Sequence, residues 1–232
     1  MPQRAIETED LDLELIVPRA PEGVIIVIDG DWRDSARRRA SALGNCLSTR
    51  RYAVCVLEPA PRRWPALVSS DETDEMNLIT ERLAAATHAI RQSHDLKDLP
   101  IGHVACGIGS AASMVVAAAD SSLVHAIVTT DGRPDLAGVR LHRFKAASLF
   151  IVTRDDRDLY EMNRWAQRRL SCPTRLDIIE RRYQDIPIGI DIDDIAKHSI
   201  RWFDTHMARG TRTVPVRSVK QTTLFVDQMG SA

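Results

Sequence analysis

The chain has 232 residues, which is enough for one α/β domain with a full hydrophobic core. Its 31 lysines and arginines nearly balance its 32 aspartates and glutamates, so the formal net charge is -1. This balance gives no electrostatic reason to expect a nucleic-acid partner or an anionic membrane surface. No apolar run approaches the roughly 20 residues of a membrane helix, so no membrane partner is expected either.

The cysteines and histidines bear on the compartment and on metal chemistry. The four cysteines stand far apart without a C-x-x-C pair, and the start of the chain lacks the basic and apolar regions of a signal peptide. These features predict a reduced, cytoplasmic protein. No spacing resembles H-E-x-x-H or a Cys/His zinc site, so the sequence predicts neither a metal nor a cofactor.

Predicted strands and helices alternate along the chain. The strands are "LDLELIV" (11–17), "VIIVI" (24–28), "YAVCVLE" (52–58), "IGHVAC" (101–106), "VHAIVTT" (124–130), "ASLFIVT" (147–153) and "TRLDIIE" (174–180). The helices are "ARRRASALGNCLSTR" (36–50), "MNLITERLAAATHAIRQSH" (76–94), "SAASMVVAAAD" (110–120), "LYEMNRWAQRRL" (159–170) and "DIAKHSIRWFDTHMA" (194–208). Ser35 is the predicted N-cap of the first helix, and residues 59–75 are a predicted loop. This order predicts an α/β fold with a doubly wound, mostly parallel sheet and helices on both faces.

The end of the chain differs in composition from the rest. Residues 1–207 form the predicted domain, and residues 208–232 form a basic tail. Within the tail, "TTLFVD" (222–227) is either an added strand at a sheet edge, in this molecule or a neighbour, or part of a disordered segment. The tail is therefore the predicted contact with a protein partner or a second copy.

The stretch "ACGIGSAAS" (105–113) joins a predicted strand to a predicted helix and fits two kinds of site. As Gly107-x-Gly109-x-x-Ala112 it is a dinucleotide-binding fingerprint, with Asp131 as the downstream carboxylate for a ribose. Against this interpretation, three strands precede the turn, whereas the fingerprint normally belongs to the first strand and helix. As Ala105-x-Gly107-x-Gly109 it has the small residues that a strained nucleophile turn requires.

Several blocks of the chain, in order, resemble the small α/β hydrolases of the dienelactone hydrolase type. These blocks include "LPIGHVACGIGSAASMVVAAA", "AIVTTDGRPDLAG", "SLFIVTRDDRDLYEMNR" and "RLDIIERRYQDI", and the resemblance covers about residues 8–207. It implies an α/β-hydrolase fold without a large lid. The stretch "GRPDLAG" (132–138) is its most distinctive part.

The resemblance also implies where a catalytic triad would lie. Gly107 occupies the nucleophile position and Gln184 the position of the histidine base. The acid position falls on Asp156, with Asp155 and Asp158 as near alternatives. In the oxyanion loop Gly30 is kept, whereas Asp29 and Trp32 depart from the family pattern.

These departures bear directly on mechanism. Gly107 has no nucleophilic atom, Gln184 cannot exchange a proton near neutral pH, and Asp29 is expected to repel developing negative charge. The remaining histidines do not match the base position, and His103 and His125, which lie within predicted strands, are expected to be packed core or rim residues.

Three functional hypotheses follow. The first is a non-catalytic α/β-hydrolase-fold protein that binds a small molecule around Gly30, Ile108 and Gly109 or that contacts a protein partner. The second is a working dienelactone-hydrolase-like hydrolase that uses Asp29 or Asp156 in a non-standard way. The third is a dinucleotide-binding module built on Gly107, Gly109 and Asp131.

Overall fold

The computed structural model describes residues 11, 13–30, 34–58, 71–180 and 192–207. Its strands are β1 (Leu13–Ile16), β2 (Gly23–Asp29), β3 (Tyr52–Leu57), β4 (Ile101–Cys106), β5 (Ala126–Thr130), β6 (Ala147–Thr153) and β7 (Thr174–Ile179). Its helices are α1 (Asp34–Ser48), α2 (Glu72–Gln92), α3 (Gly109–Ala119), α4 (Arg157–Gln167) and α5 (Ile192–His206). The predicted tail, residues 208–232, lies outside the described residues.

The seven strands form one sheet in the order β1-β3-β2-β4-β5-β6-β7. Strand β1 is antiparallel to β3, and every other pair of neighbouring strands is parallel. The predicted α/β fold with a mostly parallel, doubly wound sheet is therefore confirmed. Because the parallel strands run in one direction, the turns after β2, β4, β5 and β6 all lie at the carboxyl edge of the sheet.

The sheet is covered on both faces. All seven residues of β2 are buried, and its five apolar side chains, at residues 24–28, alternate between two hydrophobic clusters. Ile26 and Ile28 pack in the cluster that includes α2 and α3, whereas Ile25 and Val27 pack in the cluster that includes α1 and α5. Burial of each such isoleucine contributes about 2 kcal/mol of hydrophobic free energy, which explains why continuous apolar runs form the central strands.

Three local predictions differ from the structure. Ser35 lies inside α1, which already includes Asp34, so it is not the N-cap. Helix α2 begins before the predicted boundary because Asp71 caps it, accepting a hydrogen bond from the amide of Thr73 at 2.8 Å. Two short 3₁₀ turns, which meet at Gly138, span Pro134–Arg143, where no element was predicted. Among the described residues, no helix combines the length and the apolar character that crossing a membrane requires.

Candidate functional site

The glycine turn, residues 106–110, connects β4 to α3 at the carboxyl edge of the sheet. Gly107 has a φ of 55°, in the left-handed region where residues with a side chain are strained. Its amide donates to the carbonyl oxygen of Thr130 at 3.3 Å. Its own carbonyl oxygen accepts from the amide of Ser110 at 3.1 Å, the hydroxyl of Ser110 at 2.7 Å and the amide of Arg133 at 3.1 Å. The conformation of the turn is therefore held from both neighbouring segments.

In the part of the chain that the structure describes, there is free space beside Gly107 but none beside Gly30. A Cβ atom added at Gly107 would have no atom of the described residues within 4 Å. A Cβ atom at Gly30 would instead lie 2.4 Å from the amide nitrogen of Gly109 and 3.0 Å from that of Ile108. The structure thus brings together the three residues predicted to bind a ligand, and it gives Gly30 the role of a close contact between the β2 and β4 turns.

Polar side chains lie side by side on one face of the sheet next to this turn. In the strand register, Asp29 on β2 is the partner of Cys106 on β4, and Cys106 is the partner of Thr130 on β5. The hydroxyl of Thr130 donates to the Cys106 sulfur at 2.8 Å. Burial, followed by the nearby Asp29 carboxylate, raises the pKa of Cys106 to about 12. Cys106 therefore remains a thiol near neutral pH.

Asp29 has a partner that sequence analysis missed. Arg39 on α1 reaches its Oδ2 atom through Nε at 2.7 Å and through Nη2 at 2.5 Å. Because the Asp29 side chain is only 3% exposed, this pair is largely shielded from solvent. The expectation that Asp29 would repel negative charge at the turn is corrected accordingly, since the guanidinium balances the carboxylate.

The residue at the acid position serves as a helix cap. Asp156 precedes α4, and its Oδ1 atom accepts from the amide of Leu159 at 2.9 Å. Asp155 and Asp158 are exposed. Strand β5 separates β6, which leads to Asp156, from β4, which leads to Gly107. Gln184, at the base position, lies outside the described residues.

Asp131 has a bridging role between strands. It has a φ of 43°, and its Oδ1 atom accepts from both the amide and the hydroxyl of Thr153, at 3.0 and 3.3 Å. Aspartate tolerates the left-handed region better than most residues. This carboxylate oxygen, which the dinucleotide hypothesis assigns to a ribose, therefore ties the end of β5 to the end of β6.

His103 and His198 each contact side chains from other elements of the fold. His103 is fully buried between α2 and α3, with Nδ1 2.9 Å from the Ser113 hydroxyl and Nε2 3.3 Å from the Thr87 hydroxyl. Burial lowers its pKa to about 3, so it is neutral near pH 7, and the prediction of a packed core residue is confirmed for His103. His125 is exposed and precedes β5, so it is not a core residue. His198 on α5 contacts Asp177 on β7, with Nδ1 2.6 Å from Oδ2.

The "GRPDLAG" stretch supports the glycine turn. The backbone amide of Arg133 donates to the carbonyl oxygen of Gly107. The Arg133 guanidinium donates two hydrogen bonds to the Asp135 carboxylate, at 3.0 and 2.9 Å, and lies 3.3 Å from the Glu72 carboxylate on α2. The carbonyl oxygen of Gly132 accepts from the Asn163 side chain at 2.9 Å. The sequence motif marked this stretch as distinctive, but its residue spacing did not indicate that it hydrogen-bonds to the glycine turn.

Comparison with solved structures identifies the fold. A dienelactone hydrolase from Anabaena variabilis is 26% identical, with a TM-score of 0.73 over 85% of this chain and 92% of its own. The protein has a dienelactone-hydrolase-like α/β-hydrolase fold. A protein from Thermoplasma acidophilum described as a "predicted CIB-like hydrolase", at 12% identity and a TM-score of 0.64, shares the fold over 83% of this chain and 91% of its own.

Relatives found by sequence carry a different description from the structural neighbours of this hydrolase-fold protein. It is 27% identical over 196 residues to a protein named "Putative phosphoribosyl transferase" in two strains of Mycobacterium tuberculosis. The match covers 83% of this chain and 43% of that protein, so the chain spans less than half the length of the curated relatives it matches. No protein-family model matches the chain.

Proposed function

We propose that this hydrolase-fold protein is non-catalytic and binds a small molecule at the glycine turn. One observation carries the proposal: the turn is held in its strained conformation by hydrogen bonds to Gly107, although Gly107 has no side chain that could react. The left-handed φ of Gly107 and the three hydrogen bonds to its carbonyl oxygen fix the shape of the turn. A fixed backbone shape of this kind suits a turn that binds a ligand through its backbone.

The chemistry of the surrounding residues supports a loss of acyl transfer. A covalent acyl intermediate needs a nucleophile and a base to take its proton. Cys106 is buried and protonated, and its hydrogen-bond partner is Thr130. The segment between β7 and α5 contains no histidine in the sequence. Asp156, the first choice for the acid, caps α4.

The backbone of the turn suggests the ligand chemistry. Ile108 and Gly109 lie at the start of α3, where the first amides have no acceptor within the helix. Such amides, with the positive end of the helix dipole, suit a carbonyl oxygen or a small anion. We therefore propose an ester, lactone or carboxylate as the ligand class.

Thermal shift measurements on the full chain test this proposal. The panel contains a dienelactone, its open-chain carboxylate product, 5-phosphoribosyl diphosphate and NAD, which represent the structural neighbour, the curated relatives and the dinucleotide hypothesis. We expect the lactone or the carboxylate to raise the melting temperature in a concentration-dependent manner. Gly107→Leu should abolish that shift by filling the ligand space.

Gly138→Leu provides the matched control, because Gly138 also has a φ of 55° and no atom of the described residues within 4 Å of an added Cβ. With a ψ of -132°, Gly138 lies in a region that essentially only glycine adopts, so a side chain there adds backbone strain outside the glycine turn, and the variant should keep the ligand shift. Equal loss in both variants would contradict a site at Gly107. A shift with NAD alone would favour the dinucleotide-binding module.

A working hydrolase is the second candidate, because the Anabaena dienelactone hydrolase is 26% identical. It would use Asp29 or Asp156 in a non-standard way. We expect no labelling by a fluorophosphonate probe and no turnover of short acyl esters. Turnover that disappears in Asp156→Asn would establish the hydrolase and overturn the non-catalytic proposal.

A further inference from the structure

Strand β7 leaves one row of backbone groups without a strand partner in the described part of the chain. The amide of Ser148 donates to the carbonyl oxygen of Pro173 at 2.9 Å, and that of Arg154 donates to Ile179 at 3.0 Å. Since backbone direction alternates along a strand, the odd-numbered residues of β7 face β6. The amides and carbonyls of the even-numbered residues, Thr174, Leu176 and Ile178, therefore point away from the sheet.

The side chains at this edge are unusual for a protein surface. Three large apolar side chains are exposed among the described residues: Val139, Trp165 and Ile178. Ile178 lies on β7 and is 46% exposed, and Trp165 lies on α4, the helix that packs against β7. An edge strand with outward backbone groups and exposed apolar side chains is suited to pairing with another strand.

We propose that two copies of this chain pair edge to edge through antiparallel β7 strands, related by a two-fold axis at Leu176. In this arrangement Leu176 exchanges both backbone hydrogen bonds with Leu176 of the second copy, and Thr174 pairs in the same way with Ile178. Arg175 then lies directly opposite Asp177 of the second copy, and the two-fold axis places Asp177 opposite Arg175 of the second copy in the same way. These two residues form a pair without backbone hydrogen bonds, in which opposing Cα atoms are about 4.5 Å apart and side chains approach closely.

Charge selects this register. The outward-facing, even-numbered residues of one copy must pair with even-numbered residues of the other. The nearest alternative registers therefore place the two-fold axis one residue away, at Arg175 or at Asp177. An axis at Asp177 would place two aspartates opposite each other, and an axis at Arg175 would place two arginines opposite each other. Directly opposed like charges destabilise a sheet, whereas opposite charges contribute about 0.2–1 kcal/mol per pair.

The same residues are already arranged as a charge cluster in one copy. Asp177 accepts from Nε of Arg175 at 2.5 Å and contacts Nδ1 of His198 at 2.6 Å. The Arg175 side chain is 52% exposed and that of Asp177 is 10% exposed, so the arginine is the group available to a second copy. The other edge strand, β1, has four residues with Glu14 as their one charge, and it offers no complementary pair.

Sedimentation equilibrium on the full chain tests the proposal. We expect a dimer, and we expect Arg175→Asp to raise its dissociation constant at least tenfold, because two aspartate pairs replace two opposite-charge pairs. The exchange variant, Arg175→Asp with Asp177→Arg, restores opposite charges in the same register and should recover the dimer. Arg154→Glu at the neighbouring Arg154–Glu180 ion pair is the matched control and should leave the dimer unchanged.

Thermal melting of each variant separates loss of pairing from loss of folding. A wild-type chain that stays monomeric at about 100 µM overturns the proposal, as does a dimer that Arg175→Asp leaves intact. Dissociation by Phe225→Asp, in the predicted tail segment, but not by Arg175→Asp would assign self-association to the tail instead. The result is independent of ligand binding at the glycine turn.

Discussion

The turns after β4 and after β6 lie at the positions that the resemblance to α/β hydrolases assigns to a nucleophile and to an acid, and they differ in what they contain. The first holds Gly107, which has no side chain, in a strained backbone conformation through hydrogen bonds. The second presents a carboxylate, Asp156, which accepts a hydrogen bond from the first turn of α4. In both turns the hydrogen bonds serve the local fold, so the presence of these groups does not by itself establish catalysis.

Gly30→Ala should have the largest effect, since its Cβ would lie 2.4 Å from the backbone nitrogen of Gly109. Backbone cannot move away as a flexible side chain can, so we expect a loss of about 3 kcal/mol in the free energy of unfolding. Urea denaturation measures the change. Gly107→Ala is the control, with an expected loss of about 1 kcal/mol from its left-handed φ. Equal losses in the two variants would show that the close contact between the β2 and β4 turns is not the limiting feature.

His103, on the strand that leads into the glycine turn, should make stability depend on pH. Its pKa is lowered to about 3 in the folded state, whereas an unfolded histidine has a pKa of about 6.5. Between these values the unfolded state binds more protons, so stability falls as the pH falls. From pH 6 to 4.5 we expect His103 to account for a loss of about 2 kcal/mol, at about 1.4 kcal/mol per pH unit.

Urea denaturation of the wild type and His103→Gln at both pH values isolates this contribution. The carboxylates titrate in both proteins, so the difference between their pH slopes reports His103. We expect a shallower slope in the variant whatever its absolute stability. Parallel slopes would mean that the imidazole is protonated inside the fold, contrary to its burial between α2 and α3.

Asp156 should show a smaller effect that separates capping from charge. Asp156→Ala removes the acceptor for the amide of Leu159 and should cost about 1 kcal/mol, whereas Asp156→Asn keeps an acceptor and should stay within a few tenths of the wild type. Thermal or urea unfolding of both variants provides the measurement. A loss in Asp156→Asn that equals the loss in Asp156→Ala would indicate that the charge, rather than the cap, holds this turn.

Strong apolar periodicity made the fold predictable from the sequence. The run of β2 is apolar throughout because both faces are covered, and such runs indicate a parallel sheet. The start of α2 was misplaced because Asp71 precedes several acidic residues before the first apolar one. The 3₁₀ turns of Pro134–Arg143, which overlap "GRPDLAG", were missed because they are too short to show a period.

The site was predictable in position and less so in its contacts. Small residues around Gly107 indicated a tight turn between a strand and a helix, which the structure contains. The ion pair between Asp29 and Arg39 joins a strand end to a helix across a loop, and no pattern of residue types determines that contact. The cap at Asp156 was readable, because an aspartate three residues before Leu159 at a helix start is a recognised capping arrangement.

The end of α5 is a suitable point for attaching a label, a surface or a fused domain, because it lies far from the glycine turn. Met207 packs against Gly23 and Gly102, near the amino ends of β2 and β4, while the glycine turn follows the carboxyl end of β4. The six residues of β4 span about 20 Å. A sensor surface, a fluorophore or a fused domain joined through the region after α5 would thus leave the opposite edge of the sheet facing the solution.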